Sequence, residues 1–142
     1  MYLADNAGEI YFDLPLYRLL SSKARRVVLA VKGGPALNDL TRIDLERSGL
    51  RERFREMTDT GTDGVGLNWD GVSAGFLNLL DRADLVLAKG MANFETLFPH
   101  PLKVAAFFLF KVKCKPMRDY LQAPPDSFMA LWRDGRTDPG GG

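Results

Sequence analysis

The chain has 142 residues, 46% of them hydrophobic and 26% charged, with a formal net charge of +1. That is the length and mix of one globular domain with a real core, and so small a net charge gives no field that would gather nucleic acid or an anionic membrane. A single cysteine, Cys114, excludes an intrachain disulfide and fits a reducing, cytoplasmic setting, and the sequence contains neither an apolar run near the ~20 residues of a membrane helix nor a basic-then-apolar leader.

Residues 1–4 read as the tail of a buried strand that stops at Asp5-Asn6-Ala7-Gly8-Glu9. Residues 9–20 read as a helix that Pro15 should kink or restart. The continuous apolar run at 26–31, Arg-Val-Val-Leu-Ala-Val, has the character of a buried parallel strand. A Gly-Pro loop follows at 32–38, then a helix at 39–48 that ends at Gly49. Residues 54–58 are a short strand, 59–70 a loop, 72–83 a helix and 84–88 a strand closed by Lys89-Gly90. One helical turn at 93–98, a strong strand at 104–110 and a short helix at 116–121 complete the pattern. No element is assigned between 122 and 132. Residues 133–142 are polar and end in glycine, a composition expected of a disordered tail, which leaves 1–132 as one domain without repeats.

Strands alternating with helices predict an α/β fold, a mostly parallel sheet with helices on its faces. Such sheets bind ligands outside the carboxyl ends of their strands, near a switch in strand order. The polar clusters fall there: Asp5-Asn6 after the first strand, Lys32-Gly33-Gly34-Pro35 with Asn38-Asp39 after the second, Lys89-Gly90 with Asn93 after the fourth, and Lys111 and Lys113 after the last. His100 is the only histidine, no Gly-x-Ser-x-Gly elbow meets it, and neither a P-loop nor a dinucleotide fingerprint is present. A metal site here would be built mainly from Asp, Glu and Asn oxygens, which suits a hard ion such as Mg²⁺ or Mn²⁺. Lysines and glycine-freed amides suit phosphate oxygens.

Four motifs, in order, resemble the damage-control phosphatase family, metal-dependent phosphatases once grouped as domain of unknown function eighty-nine. They are Asp5-Asn6-Ala7-Gly8-Glu9-Ile10 with Phe12-Asp13, Lys32-Gly33-Gly34-Pro35 with Asn38-Asp39, Ala88-Lys89-Gly90 with Ala92-Asn93-Phe94-Glu95-Thr96, and Phe108-Leu109-Phe110-Lys111-Val112-Lys113-Cys114. The resemblance covers residues 1–121 and implies a Rossmann-like three-layer α/β/α fold. It implies that Asp5, Asn6 and Asp39 ligate a divalent metal (Mn²⁺, Mg²⁺, Co²⁺ or Ni²⁺), with Asp5 and Asp39 catalytic. It implies that Met91, Ala92, Asn93, Phe94 and Glu95 form the substrate-phosphate loop and that Lys111 binds substrate. The implied activity is hydrolysis of small phosphorylated metabolites, sugar phosphates and damaged cofactor relatives among them. Members of the family also carry a helical segment ahead of this region, whereas this sequence starts inside the first strand.

Each residue has an ordinary reading beside the chemical one. Asp5 can cap the helix that follows it. Asn6 can tolerate a left-handed turn. Asp39 or Thr41 can cap the next helix, and Thr41-Arg42-Ile43-Asp44 reads as a capping box. Asn93 can cap the turn after it, Glu9 can favour a helix N-terminus, and Lys89 and Lys113 can be solvated charges. Cys114 reads as a small buried hydrophobe and His100 as structural or exposed. Taken together, the order of the motifs favours the metal site. The expectation is metal-dependent hydrolysis of a phosphate monoester. The alternative is a non-catalytic metal- and phosphometabolite-binding module, or one half of a two-chain phosphatase. The helix at 9–20 is apolar nearly all round, which predicts a second cover for it, by self-association or by a separate helical partner.

Overall fold

Apolar runs set the strands, and the sheet that they form is visible in the computed structural model, which describes residues 1–135. In chain order the elements are β1 (Tyr2–Leu3), α1 (Ile10–Lys23), β2 (Val28–Val31), α2 (Arg42–Arg47), β3 (Glu56–Asp59), α3 (Ala74–Asp81), β4 (Leu85–Lys89), α4 (Met91–Leu97), β5 (Ala105–Lys111), α5 (Lys115–Leu121) and β6 (Phe128–Arg133). They build one six-stranded sheet in the order β3-β2-β1-β4-β5-β6. The first five strands are parallel, and β6 runs antiparallel to β5 with Phe107 opposite Trp132 and Lys111 opposite Phe128. The chain leaves β1 toward β2 and β3, then returns to β4 on β1's other side. The switch point therefore lies between β1 and β4.

The sheet is covered on both faces, which gives the expected three layers. On one face α1 and α2 pack Ile10, Tyr17 and Leu45 against Tyr2, Leu29, Val31 and Leu87. On the other, α3 and α4 pack Phe76, Leu80, Phe94 and Leu97 against Leu3, Ala30, Val86 and Phe108. No described helix is long and apolar enough to cross a membrane.

Several expectations change in detail. α1 passes through Pro15 without a break and runs to Lys23. Pro15 and Tyr11, whose carbonyl would have taken the missing N–H, both lie on the exposed side, where water can serve that carbonyl. α2 starts at Arg42 rather than 39, because Thr41 caps it: the capping box with Asp44 is fully formed. Asp39 instead ends a turn whose amide donates to the Ala36 carbonyl at 2.9 Å. α4 begins at Met91, two residues before the turn expected at 93. The strand β6 was not expected at all, and it reaches Arg133, the first residue of the expected tail. The rest of that tail, from 136 onward, lies outside the described residues.

Candidate active site at the switch point

The site begins with two backbone crossings. Where β1 ends, the Leu40 amide donates to the Asp5 carbonyl at 2.7 Å and the Ala7 amide donates to the Asn38 carbonyl at 2.9 Å. Asn6 and Asp39 thereby face each other as an isolated antiparallel bridge. Thus Asp5, Asn6 and Asp39, 34 positions apart at their extremes, meet on one rim as the sequence implied. Asp5 lies over Gly90, the residue that follows β4. A Cβ on Gly90 would stand 2.3 Å from the Asp5 carboxyl carbon, and Gly90 has φ +89°, so glycine is required there twice over.

The Asn6 side chain has a fixed orientation. Its Nδ2 donates to Asp5 Oδ2 at 3.1 Å and to Glu9 Oε1 at 2.7 Å. Two carboxylates can only be served by the amide nitrogen, so Oδ1 is left as the acceptor end. Neither Asn6 nor Glu9 makes a side-chain capping bond to the helical turn that it precedes. Burial, then the charges of Glu9 and Asp39, pushes the Asp5 carboxyl above the usual range. A site that disfavours its own negative charge in this way is one that a cation relieves. Among the described residues no three His, Cys, Asp or Glu side chains form a closed cage. The donor set is two carboxylates and an amide oxygen, which suits a hard ion that keeps water and substrate oxygens in its remaining positions.

One buried and one half-buried lysine hold this rim. Lys32, 5% exposed, follows β2. Its ammonium donates to the Gly64 carbonyl at 3.0 Å and to the Gly66 carbonyl, and lies 3.4 Å from Asp39 Oδ2. Burial lowers its pKa, and Asp39 offsets part of that. Lys89 ends β4 and donates to Glu9 Oε2 at 2.5 Å and to Asp13 Oδ1 at 2.6 Å. Burial opposes its charge, but the two carboxylates outweigh burial and raise its pKa. Burial likewise works to raise Glu9, yet Lys89 and Asn6 hold it below the usual carboxylate range.

A cleft of about 390 Å³ opens beside Asp5 and Lys89, lined further by Met91, Lys111, Lys113 and Phe128. A second cleft of about 230 Å³ opens at the opposite ends of the strands, among Leu20, Leu79 and Arg82, and offers no pair of carboxylates. The carboxylates and lysines of the rim lie at the first. Lys111 pairs with Asp126 at 2.8 Å, and both are substantially exposed. Such a pair is weak and easily exchanged for another anion.

The expected phosphate loop is only partly at the cleft. Met91 lines it. Phe94 is core, stacked on Phe110 at 4.4 Å. Asn93 is buried, and its Nδ2 donates to the carbonyls of Ala4 at 3.0 Å and Lys89 at 2.7 Å, so its amide nitrogen ties β1 to β4. It does not cap α4, a position held by Gly90. Ala92 is half-buried and Glu95 is exposed, and neither lines the cleft. Cys114 is half-buried rather than core. His100 stacks on Trp69 with ring centroids 3.5 Å apart, outside the cleft lining. Lys32, grouped by the sequence with lysines suited to phosphate, is turned instead to the Gly64 and Gly66 carbonyls and Asp39. Asp13 had no role in the sequence beyond its motif, and its signal was a charge on the buried side of an apolar helix.

Residues 1–127 match the damage-control phosphatase ARMT1-like domain. The chain is 37% identical over 132 residues to a damage-control phosphatase of Pyrococcus horikoshii, covering 92% of this chain and 45% of that protein. It is 35% identical over 117 residues to a damage-control phosphatase of Archaeoglobus fulgidus, covering 82% and 40%. It is 37% identical over 121 residues to an uncharacterized protein of Methanocaldococcus jannaschii, covering 84% and 40%. A crystal structure of a duf89 family protein from Pyrococcus horikoshii superposes with a TM-score of 0.80 at 38% identity, covering 89% of this chain and 44% of that one. The chain therefore spans less than half the length of these relatives.

Proposed function

We propose a function from one premise: the chain belongs to the damage-control phosphatase ARMT1-like domain family. Its reaction is hydrolysis of a phosphate monoester on a small, sugar-phosphate-like metabolite. Asp5, Asn6 and Asp39 would hold a divalent cation, Mn²⁺, Mg²⁺, Co²⁺ or Ni²⁺. When bound, that ion supplies Lewis-acid polarisation of the phosphoryl oxygens.

The chain's own residues do the rest. Glu9 and Asp5 fix the Asn6 amide so that its oxygen is the free end. Lys32 holds Asp39 at the rim. Lys113 is exposed at the cleft lining, within electrostatic reach of Asp5 and Glu9, and would meet phosphate oxygens there. Lys111 joins it by exchanging Asp126 for substrate. Fixed cations aimed at the transferring group stabilise the charge that spreads over it. The observation that carries this reading is the crossing of Asp5-Asn6 with Asp39 over Gly90, where two carboxylates and an oriented amide converge beside the cleft-lining Lys89, Lys111 and Lys113.

The test has two parts. The chain should hydrolyse members of a sugar-phosphate panel only with one of the four ions present. Asp5→Ala and Asp39→Ala should each abolish Mn²⁺ binding in calorimetry while leaving the circular dichroism spectrum unchanged. Unchanged Mn²⁺ binding in both variants overturns the site. Mn²⁺ binding without turnover would favour the binding-module reading instead.

A further inference from the structure

Behind the cleft a charged chain begins at Asp13 and Lys89, two residues that the phosphatase reading leaves without a role. Asp13 is 5% exposed and lies one helical turn after Glu9 on the same side of α1. Its Oδ1 accepts from Lys89 Nζ at 2.6 Å, and the same ammonium donates to Glu9 Oε2 at 2.5 Å. Glu9 then accepts from Asn6 Nδ2 at 2.7 Å, and that nitrogen reaches Asp5 Oδ2 at 3.1 Å. Four charge-assisted contacts thus lead from a buried carboxylate to the floor of the cleft without a gap.

We propose that Asp13 is a positioning residue, whose buried carboxylate fixes Lys89 so that Glu9 and Asn6 turn the Asn6 carbonyl oxygen toward the cation; this rests on the metal-site reading of Asp5, Asn6 and Asp39. An ammonium held largely out of water needs its anions, and the half-buried Lys89 has two. With Asp13 neutral, Glu9 is the sole counter-charge of Lys89 and is drawn toward it. The Asn6 amide then loses the shorter of the two contacts that set its orientation and keeps only the 3.1 Å contact to Asp5, so its oxygen is held less firmly toward the ion. Behind Asp13 the buried Tyr2 hydroxyl faces the same carboxylate, and burial and then the Asp13 charge raise the Tyr2 phenol, which stays a neutral donor toward Asp13. Residues outside a metal's own ligands that orient those ligands typically change metal affinity by about 10- to 100-fold when replaced.

The experiment is Mn²⁺ titration calorimetry on the full chain, with unfolding midpoints measured alongside. Asp13→Asn should weaken Mn²⁺ binding by roughly tenfold or more. The double variant Asp13→Leu with Lys89→Met removes both buried charges at once, and carries the test should the single variant fail to fold. It should recover the unfolding midpoint while Mn²⁺ affinity stays low. Wild-type affinity in Asp13→Asn, with binding abolished in Asp5→Ala, overturns the inference and leaves the phosphatase reading standing. Affinity restored in the double variant together with stability also overturns it, since Asp13 would then only neutralise Lys89. Unchanged binding in Asp5→Ala overturns both.

Discussion

At the scale of single residues, the motif order made the convergence of Asp5, Asn6 and Asp39 legible and hid what supports them. Taken singly, an Asp or Asn after a strand reads as a cap or turn residue, so it was their order along the chain that drew attention. Asp13 and Lys89 are 76 positions apart and become a pair only when β4 docks beside β1 under α1. No local rule couples them. Phe94 and Asn93 sat within a motif and were read with it, yet burial assigns one to the core and the other to a backbone tie. Gly90 shows the opposite case, a residue whose need is legible only in three dimensions. Gly90→Ala would put a methyl group into the Asp5 carboxylate and force an L residue to a positive φ. The backbone strain alone should cost about 1–3 kcal/mol. The displaced carboxylate should also lose Mn²⁺ affinity. Denaturant unfolding and Mn²⁺ titration of the variant check both, and a variant with wild-type values in each would remove Gly90 from the site.

Among elements, legibility followed range. The Thr41–Asp44 capping box spans three positions and formed as read. The parallel strands were legible because burial on both faces leaves them apolar throughout. β6 was not, because it is an antiparallel edge strand with alternate residues exposed, and Pro124-Pro125 stand in the short loop between α5 and it. Its far end is secured by Arg133. The Arg133 Nη1 donates to the carbonyls of Leu97 at 3.0 Å, Phe98 at 2.6 Å and His100 at 2.8 Å, and Nη2 reaches Leu102 at 3.3 Å. Those first carbonyls belong to the C-terminal end of α4, where a cation also meets the helix dipole. Arg133→Ala should therefore cost about 1.5–3 kcal/mol, the range for hydrogen bonds to a charged group. The loss should be local: hydrogen exchange should quicken at the amides of β6 first. Unaltered protection there would mean that β5 pairing alone holds the strand.

At the scale of the molecule, the two faces of the sheet are unequally finished. The α3–α4 face is closed by aromatic packing that runs through Phe94, Phe98, Phe108 and Phe110. On the α1 face, cover stops short of β5 and β6, where Phe107 stands opposite Trp132 and Leu109 opposite Ala130, and these rows lead into the cleft at Lys111 and Phe128. Phe128 and, on the outer side of α1, Phe12 are each 84% exposed, with Tyr11, Leu19 and Trp132 more than half exposed. Exposed apolar side chains of this size are candidates for cover by a second copy of the chain. The apolar circumference of α1, legible in the sequence, survives folding because the sheet hides only one side of it. In sedimentation velocity the chain should self-associate as concentration rises, and Phe12→Ser with Trp132→Ser should return it to the monomer without changing its circular dichroism spectrum. Association would also cover the open flank of the cleft and exclude water from it, which strengthens every charge interaction inside. Specific activity should then rise with protein concentration for the wild type and stay flat for the double variant. A wild-type chain that remains monomeric and turns over phosphate esters at a constant specific activity would show that the cleft works with its flank open to solvent.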